Sequence, residues 1–464
     1  MTTRLLAAGL FVCALAPAQV KLPPFEKRTL PNGATMILLR KPEVPLITVR
    51  AIIRGGAEAD PEGKQGVAAM TGELLRRGAG SRTADQIDAQ LDAIGATLST
   101  GATPQASFLS TEFTARTADR ALEIFGDILL KPSFPEAEFK KVQAQWTDRA
   151  RSSKDNPGMA ILQYFPLFVY PAGHPYSRPP FGDENVLAKL TLDDIKAYHA
   201  RMYVAKNLIL IGAGDLDPAT FGAKLAGLAT GLAAGTAFPV RPLPAPKFQG
   251  ARLLLVDKPD ATQTYFRIAM PGIERSNPDR VPLMLVNTLF GGRFTSMLND
   301  ELRVNSGLTY GARSEIEMNR LPGTIAINTY TRTETTVKAI DLALEILARL
   351  RKNGFDPEQL VSAKNYVKGN YPADALETAD QIATVLGDLE IFGLNRGEVD
   401  DLFSSIDAVT LERANATARK YFVESNLQFL LIGAAGKIEP QVKKYAPNMK
   451  VISIKDPGFS VPSF

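Results

Sequence analysis

The stretch TLDDIKAYHARMYVAKNLILIGAGDLDP, residues 191–218, returns as TLERANATARKYFVESNLQFLLIGAAGKIEP, residues 410–440. Asn207 of the first copy recurs as Asn426 of the second, 219 residues on. Nearer the front, Lys41-Pro42 returns as Lys258-Pro259, 217 residues on. Two nearly equal offsets imply a duplicated unit of about 220 residues, too long for a solenoid repeat and right for a doubled domain.

Around these copies, each half repeats the same order of patterns. An apolar strand-like run (Leu46 to Arg54; Tyr265 to Met270) precedes an amphipathic helix (Gly66 to Arg77; Arg280 to Phe290). Residues 91–113 mix small and β-branched residues with Gly and Pro, as a hairpin-forming sheet does. Residues 117–131 and 335–353 place apolar side chains at three and four spacing, and Gly354 stops the second run. The fold class expected is α+β: two duplicated domains, each an antiparallel-rich sheet with packed helices. Between the copies, GLAAGTAFPVRPLPAPKFQG (231–250) has four prolines, three glycines and no hydrophobic period, which reads as an extended linker. The expected layout is a leader over 1–18, one domain over 19–230, the linker over 231–250 and a second domain over 251–464.

The chain has 464 residues, 45% hydrophobic and 22% charged, an ordinary globular composition. Its 53 basic residues against 49 acidic ones leave a dispersed net charge of +4, too thin for a nucleic-acid surface. Arg4, the apolar run Leu5 to Leu15 and Ala16-Pro17-Ala18 read as a cleaved export signal, and no amphipathic membrane segment stands out. The expectation is therefore an exported protein, in a bacterial periplasm, without stable membrane insertion. The single cysteine, Cys13, lies inside that leader, so the mature chain offers no thiol for disulfide, nucleophile or metal. Two histidines remain, His174 on a Pro-rich loop and His199 in a helix-like segment. Their spacing is not that of one helix face, so they read as a loop histidine and a helix-surface histidine rather than a joint metal site.

Several stretches together resemble the pitrilysin-like or insulinase-like zinc metallopeptidases, in particular half-size bacterial members. They are LPNGATMILLRKPEVPLITVRAIIRGGAEADPEGKQGVAAMTGELLRRGAG, HPYSRPPFG, YHARMYVAKNLILIGAGD and FGGRFTSMLNDELRVNSGLTYGARSE. The resemblance implies a two-domain half of a clam-like peptidase chamber. Active relatives carry His-x-x-Glu-His on the first helix, where i, i+3 and i+4 share a face that can grip zinc and activate water. Laid on GVAAMTGELLRRG, that motif puts Ala69 and Glu73 in place of the histidines and Gly72 in place of the catalytic carboxylate. A further glutamate ligand falls at about Arg149. The metal motif is thus degenerate and no metal or other cofactor is expected in this chain. Glu73 reads as a surface ion pair with Arg76 and Arg77 at i+3 and i+4.

The resemblance also implies that half-size members work in pairs, one carrying zinc and the other supplying an arginine and a tyrosine seven residues apart. Arg303 and Tyr310 stand so in ELRVNSGLTYG. A short helix over Thr295 to Arg303, a left-handed exit at Gly307 and a strand over Leu308 to Arg313 would bring both side chains to one end. A tyrosine hydroxyl can donate to the oxyanion forming at a scissile carbonyl, and a guanidinium can hold a substrate carbonyl. The expected function is the metal-lacking subunit of an exported heteromeric zinc metallopeptidase, inactive alone. Its expected partner is a homologous subunit with an intact motif, zinc lies in that partner, and unfolded peptides are the substrate, joining an exposed sheet edge as an extra strand. The alternative is an inert scaffold or a peptide-binding protein of the same fold. Gly291-Gly292 read as relief of crowding, and Trp146 as a packed helix residue.

Overall fold

Apolar runs too continuous for a half-exposed sheet, LILIGAG at 208–214 and QFLLIG at 428–433, form strands buried along their whole length. The computed structural model describes residues 20–240 and 248–464. The leader expected over 1–18, with Cys13, and residues 241–247 of the expected linker lie outside the described residues. The first sheet uses β1 (Phe25–Thr29), β2 (Thr35–Arg40), β3 (Leu46–Arg54), β4 (Thr97–Ala102), β5 (Ala106–Thr114) and β6 (Leu208–Gly214) in the order β1-β2-β6-β3-β5-β4. The second uses β7 (Arg252–Asp257), β8 (Gln263–Pro271), β9 (Ala312–Met318), β10 (Pro322–Arg332), β11 (Gln428–Gly433) and β12 (Asn448–Ser453) in the order β9-β10-β8-β11-β7-β12. Read from β2 to β4 and from β7 to β9, the two orders coincide strand for strand. Pairing is antiparallel except for β2 with β6 and for β7 with β11 and β12. The result is an α+β fold built twice.

Alternation along the strands sends side chains to opposite faces. Met36 and Leu38 of β2 join the helical core of the first half, with Ile47, Val49, Ala51 and Ile53 of β3. Ile37 and Leu39 face the other way, beside Ile209 and Ile211. That second face is not covered by its own half. Helix α5 (Ala379–Phe392), from far along the chain, lays Ile382, Ala383, Leu386 and Leu389 on it. In return, α3 (Pro157–Val169) lays Ile161, Tyr164, Phe165 and Phe168 on Leu254, Val256, Leu430 and Ile432 of the second sheet. Each half therefore finishes the other's core.

The remaining helices follow the sequence pattern with trimmed ends. The expected Gly66 to Arg77 helix is α1 (Val67–Leu75). The preceding helix to α3, α2 (Glu136–Ser152), carries Trp146 packed at the edge of the first core. The expected Arg280 to Phe290 helix is α4 (Arg280–Asn287), continued by a wider π turn over Thr288–Gly292. The histidine reading is corrected for surface position. His174 is a loop residue but buried, stacked on Tyr170 at 4.8 Å. His199 is partly buried rather than on the surface, stacked on Tyr203 at 4.5 Å with Phe134 edge-on, and loss of water pushes its pKa down to about 4.

Candidate active site

The site is built where the first helix of the second half meets its edge strand. Gly291 allows that approach: a Cβ there would stand 2.3 Å from the Ser314 nitrogen, so only glycine fits. Beyond it, Ser296 caps a short helix over Met297–Asn299 that opens into a second π segment over Asp300–Asn305. π segments are rare and frequently mark functional sites. The strand expected over Leu308 to Arg313 begins only at Ala312, because 307–311 form a tied loop. Gly307 turns at φ +61, Leu308 N–H donates to the Leu302 carbonyl at 2.9 Å, and Thr329 Oγ1 donates to the Gly311 carbonyl at 2.8 Å.

This loop folds Tyr310 back over Arg303. The guanidinium carbon lies 4.6 Å from the Tyr310 ring centre and 4.8 Å from the Phe294 ring centre, so two aromatic rings flank one cation. Both rings are exposed, Tyr310 at 74% and Phe294 at 63%. Among the described residues neither the Arg303 guanidinium nor the Tyr310 hydroxyl has a hydrogen-bond or ion-pair partner, while both line one cavity of about 940 Å³. Stacked Tyr265 and Tyr330, at 4.8 Å, form part of its wall. The outer edge of β9 beside it is occupied at Ala312 and Ser314. Asn299 Oδ1 accepts from Ala312 N–H at 3.2 Å, and the Asn287 amide donates to the Ser314 carbonyl at 3.1 Å. The expected addition of a peptide strand is therefore not available along 312–314.

A second cavity, of about 640 Å³, adjoins the first and shares Leu162, Arg267, Glu315 and Ile316 with it. It is largely apolar, with Ala69, Trp146, Phe165 and Pro179 in its wall, and nothing in the sequence pattern announced it because its lining comes from both halves. At its side the buried Asp60 carboxylate accepts from Gly66 N–H at 2.7 Å and Ala68 N–H at 2.9 Å, at the start of α1, and pairs with Arg178 at 3.2 Å. Burial pushes its pKa up to about 6, against the pull of Arg178 and those amides.

Two family models match the chain: Insulinase (Peptidase family M16) over residues 35–163, and Peptidase M16 inactive domain over residues 189–367, the span that holds Arg303 and Tyr310. The chain belongs to the insulinase-like M16 peptidase family. It is a half-size member. It is similar to the uncharacterized zinc protease YmxG of Bacillus subtilis, 23% identical over 89% of this chain and 99% of that one. Among solved structures it is similar to the peptidase M16 inactive domain of Pseudomonas fluorescens, 26% identical with a TM-score of 0.82, covering 88% of this chain and 98% of that one. The first half of the periplasmic protease PqqL of Escherichia coli shares the fold at 15% identity, with a TM-score of 0.71 over 92% of this chain and 98% of that one.

At Ala69, Gly72, Glu73 and Arg149, where the sequence resemblance lays the zinc motif, the side chains present do not fit a metal. Ala69 has no donor atom, and Gly72 lies so close to β4 that a Cβ would meet the Gly101 backbone at 3.1 Å. Glu73 is engaged by Arg77, with Nε donating at 3.0 Å, while Arg76 turns instead to Asp88 at 2.6 Å, which corrects the expected three-residue pair. Arg149 is exposed, its guanidinium 4.5 Å from the Phe181 ring centre. Among the described residues no three His, Cys, Asp or Glu side chains are grouped to hold a metal, and no helix is long and apolar enough to cross a membrane.

Proposed function

We propose that this chain is the metal-lacking subunit of an exported heteromeric M16 peptidase and supplies Arg303 and Tyr310 in trans to peptide hydrolysis. The observation that carries the reading is the Arg303 guanidinium stacked on the Tyr310 ring at one cavity, neither the guanidinium nor the Tyr310 hydroxyl having a partner among the described residues. Polar ends with no protein partner, free to exchange water for a ligand, are what a site needs before its ligand arrives. Tyr310 donates to the oxyanion that develops on the scissile carbonyl, and Arg303 holds a neighbouring carbonyl of the peptide. Attack on the carbonyl belongs to a homologous partner subunit with an intact His-x-x-Glu-His motif. The name of the periplasmic relative and the leader-like N-terminus support export.

The test mixes this purified chain with such a homologue. Cleavage of an unfolded peptide is expected only in the mixture, falling at least about tenfold with Arg303→Ala or Tyr310→Phe, or some 1.4 kcal/mol of transition-state stabilisation. Tyr310→Phe is the sharper variant, since it keeps the ring over Arg303 and removes only the donor. Rates unchanged in both variants would leave an inert scaffold as the role.

A further inference from the structure

The cavity that holds Arg303 and Tyr310 is rich in cations. Four guanidiniums line it, those of Arg267, Arg293, Arg303 and Arg313, against the single carboxylate of Glu315. That carboxylate is already shared: one oxygen meets Arg267 at 2.8 Å and the other meets Arg313 at 2.8 Å. Arg293 donates to the Ser362 hydroxyl at 2.9 Å and has no acidic partner among the described residues, and neither has Arg303. The wall thus carries a surplus of three positive charges over its own acid. Its neutral surface is aromatic, with Tyr265, Phe294, Tyr310, Tyr330 and Tyr366. Because the β9 edge is closed at 312–314 by Asn287 and Asn299, a segment lying there is read by its side chains rather than through backbone pairing.

We propose that this cavity selects anionic peptide segments, with Arg293 and Arg313 as the specificity-determining side chains that receive their carboxylates. This rests on the reading that the cavity receives peptide, and adds the class of peptide. Guanidiniums match carboxylates through paired N–H donors, and a surplus of fixed cations raises the local concentration of acidic segments while repelling basic ones. Both line the cavity: Arg293 has no acidic partner among the described residues, and Arg313, though paired with Glu315, keeps 71% of its side chain exposed.

The test measures binding of fluorescent unfolded peptides to the full chain alone, in sets that differ only at two positions carrying Glu, Gln or Lys. The Glu peptide is expected to bind at least about tenfold tighter than the Lys peptide at low salt, with most of that gap lost at ~0.5 M salt. The double variant Arg293→Gln, Arg313→Gln, checked for an unchanged melting curve, is expected to shrink the gap at least about threefold, Arg303 remaining as a cation in surplus. Equal affinities in the unaltered chain, or a charge preference undiminished in the double variant, would overturn the anionic selection by these side chains and leave the peptide site standing. Failure of every peptide to bind would instead remove the peptide site, and this selection with it.

Discussion

Burial keeps the His199 imidazole neutral well below its ordinary range, at about 4. In the unfolded chain the same group takes up a proton near 6.5, so between those values the unfolded state binds more protons and stability falls as pH falls. From neutrality to pH 5 this group alone should cost roughly 2 kcal/mol. His199→Phe keeps the ring between Tyr203 and Phe134, and its melting temperature should drop less on acidification than that of the parent chain, read by thermal unfolding at both pH values. Gly72 makes a second residue-scale case. Gly72→Glu, which restores the family's carboxylate, should destabilise by about 1–3 kcal/mol, because α1 has settled against the Gly101 backbone, and denaturant unfolding would show it. The pair Arg303 and Tyr310 was legible through the family resemblance, and the helix exit at Gly307 made it feasible for both side chains to reach one end. Phe294, Asn287 and Asn299 were not: an exposed aromatic and two amides follow no period, and their importance lies in contacts across the chain.

Elements were legible in type more than in assignment. Runs such as LILIG and FLLIG declare strands buried on both faces, and the repeat declares two sheets. What an apolar helix cannot declare is which sheet it covers, since Leu and Ile read alike against either. The exchange of α3 and α5 was therefore hidden, and so were the two π turns, whose widened geometry serves the packing of Gly291 on Ser314 and the placement of Arg303. Leu386 belongs to α5 yet sits buried among Ile37, Leu39 and Ile211 of the first sheet. Leu386→Ala should cost about 2–5 kcal/mol in denaturant unfolding, and the loss should appear as one transition for the whole chain rather than for one half.

For the whole molecule, the asymmetry between halves matters more than their likeness. The strand orders match, but in the first half the positions onto which the resemblance lays the metal motif hold a methyl group, a glycine, a glutamate held by Arg77 and a solvent-facing arginine. The corresponding region of the second half offers a cavity rimmed by cations and aromatic rings. The mutual loan of helices has one more consequence. Because each piece carries the lid for the other's sheet, covalent continuity between them is dispensable once both have folded. Residues 20–240 and 248–464, produced as separate polypeptides and refolded together, would be expected to reassociate into a one-to-one complex, each recognising its missing helix in its mate, so that a gene encoding this chain could be divided at that point without losing the particle it specifies.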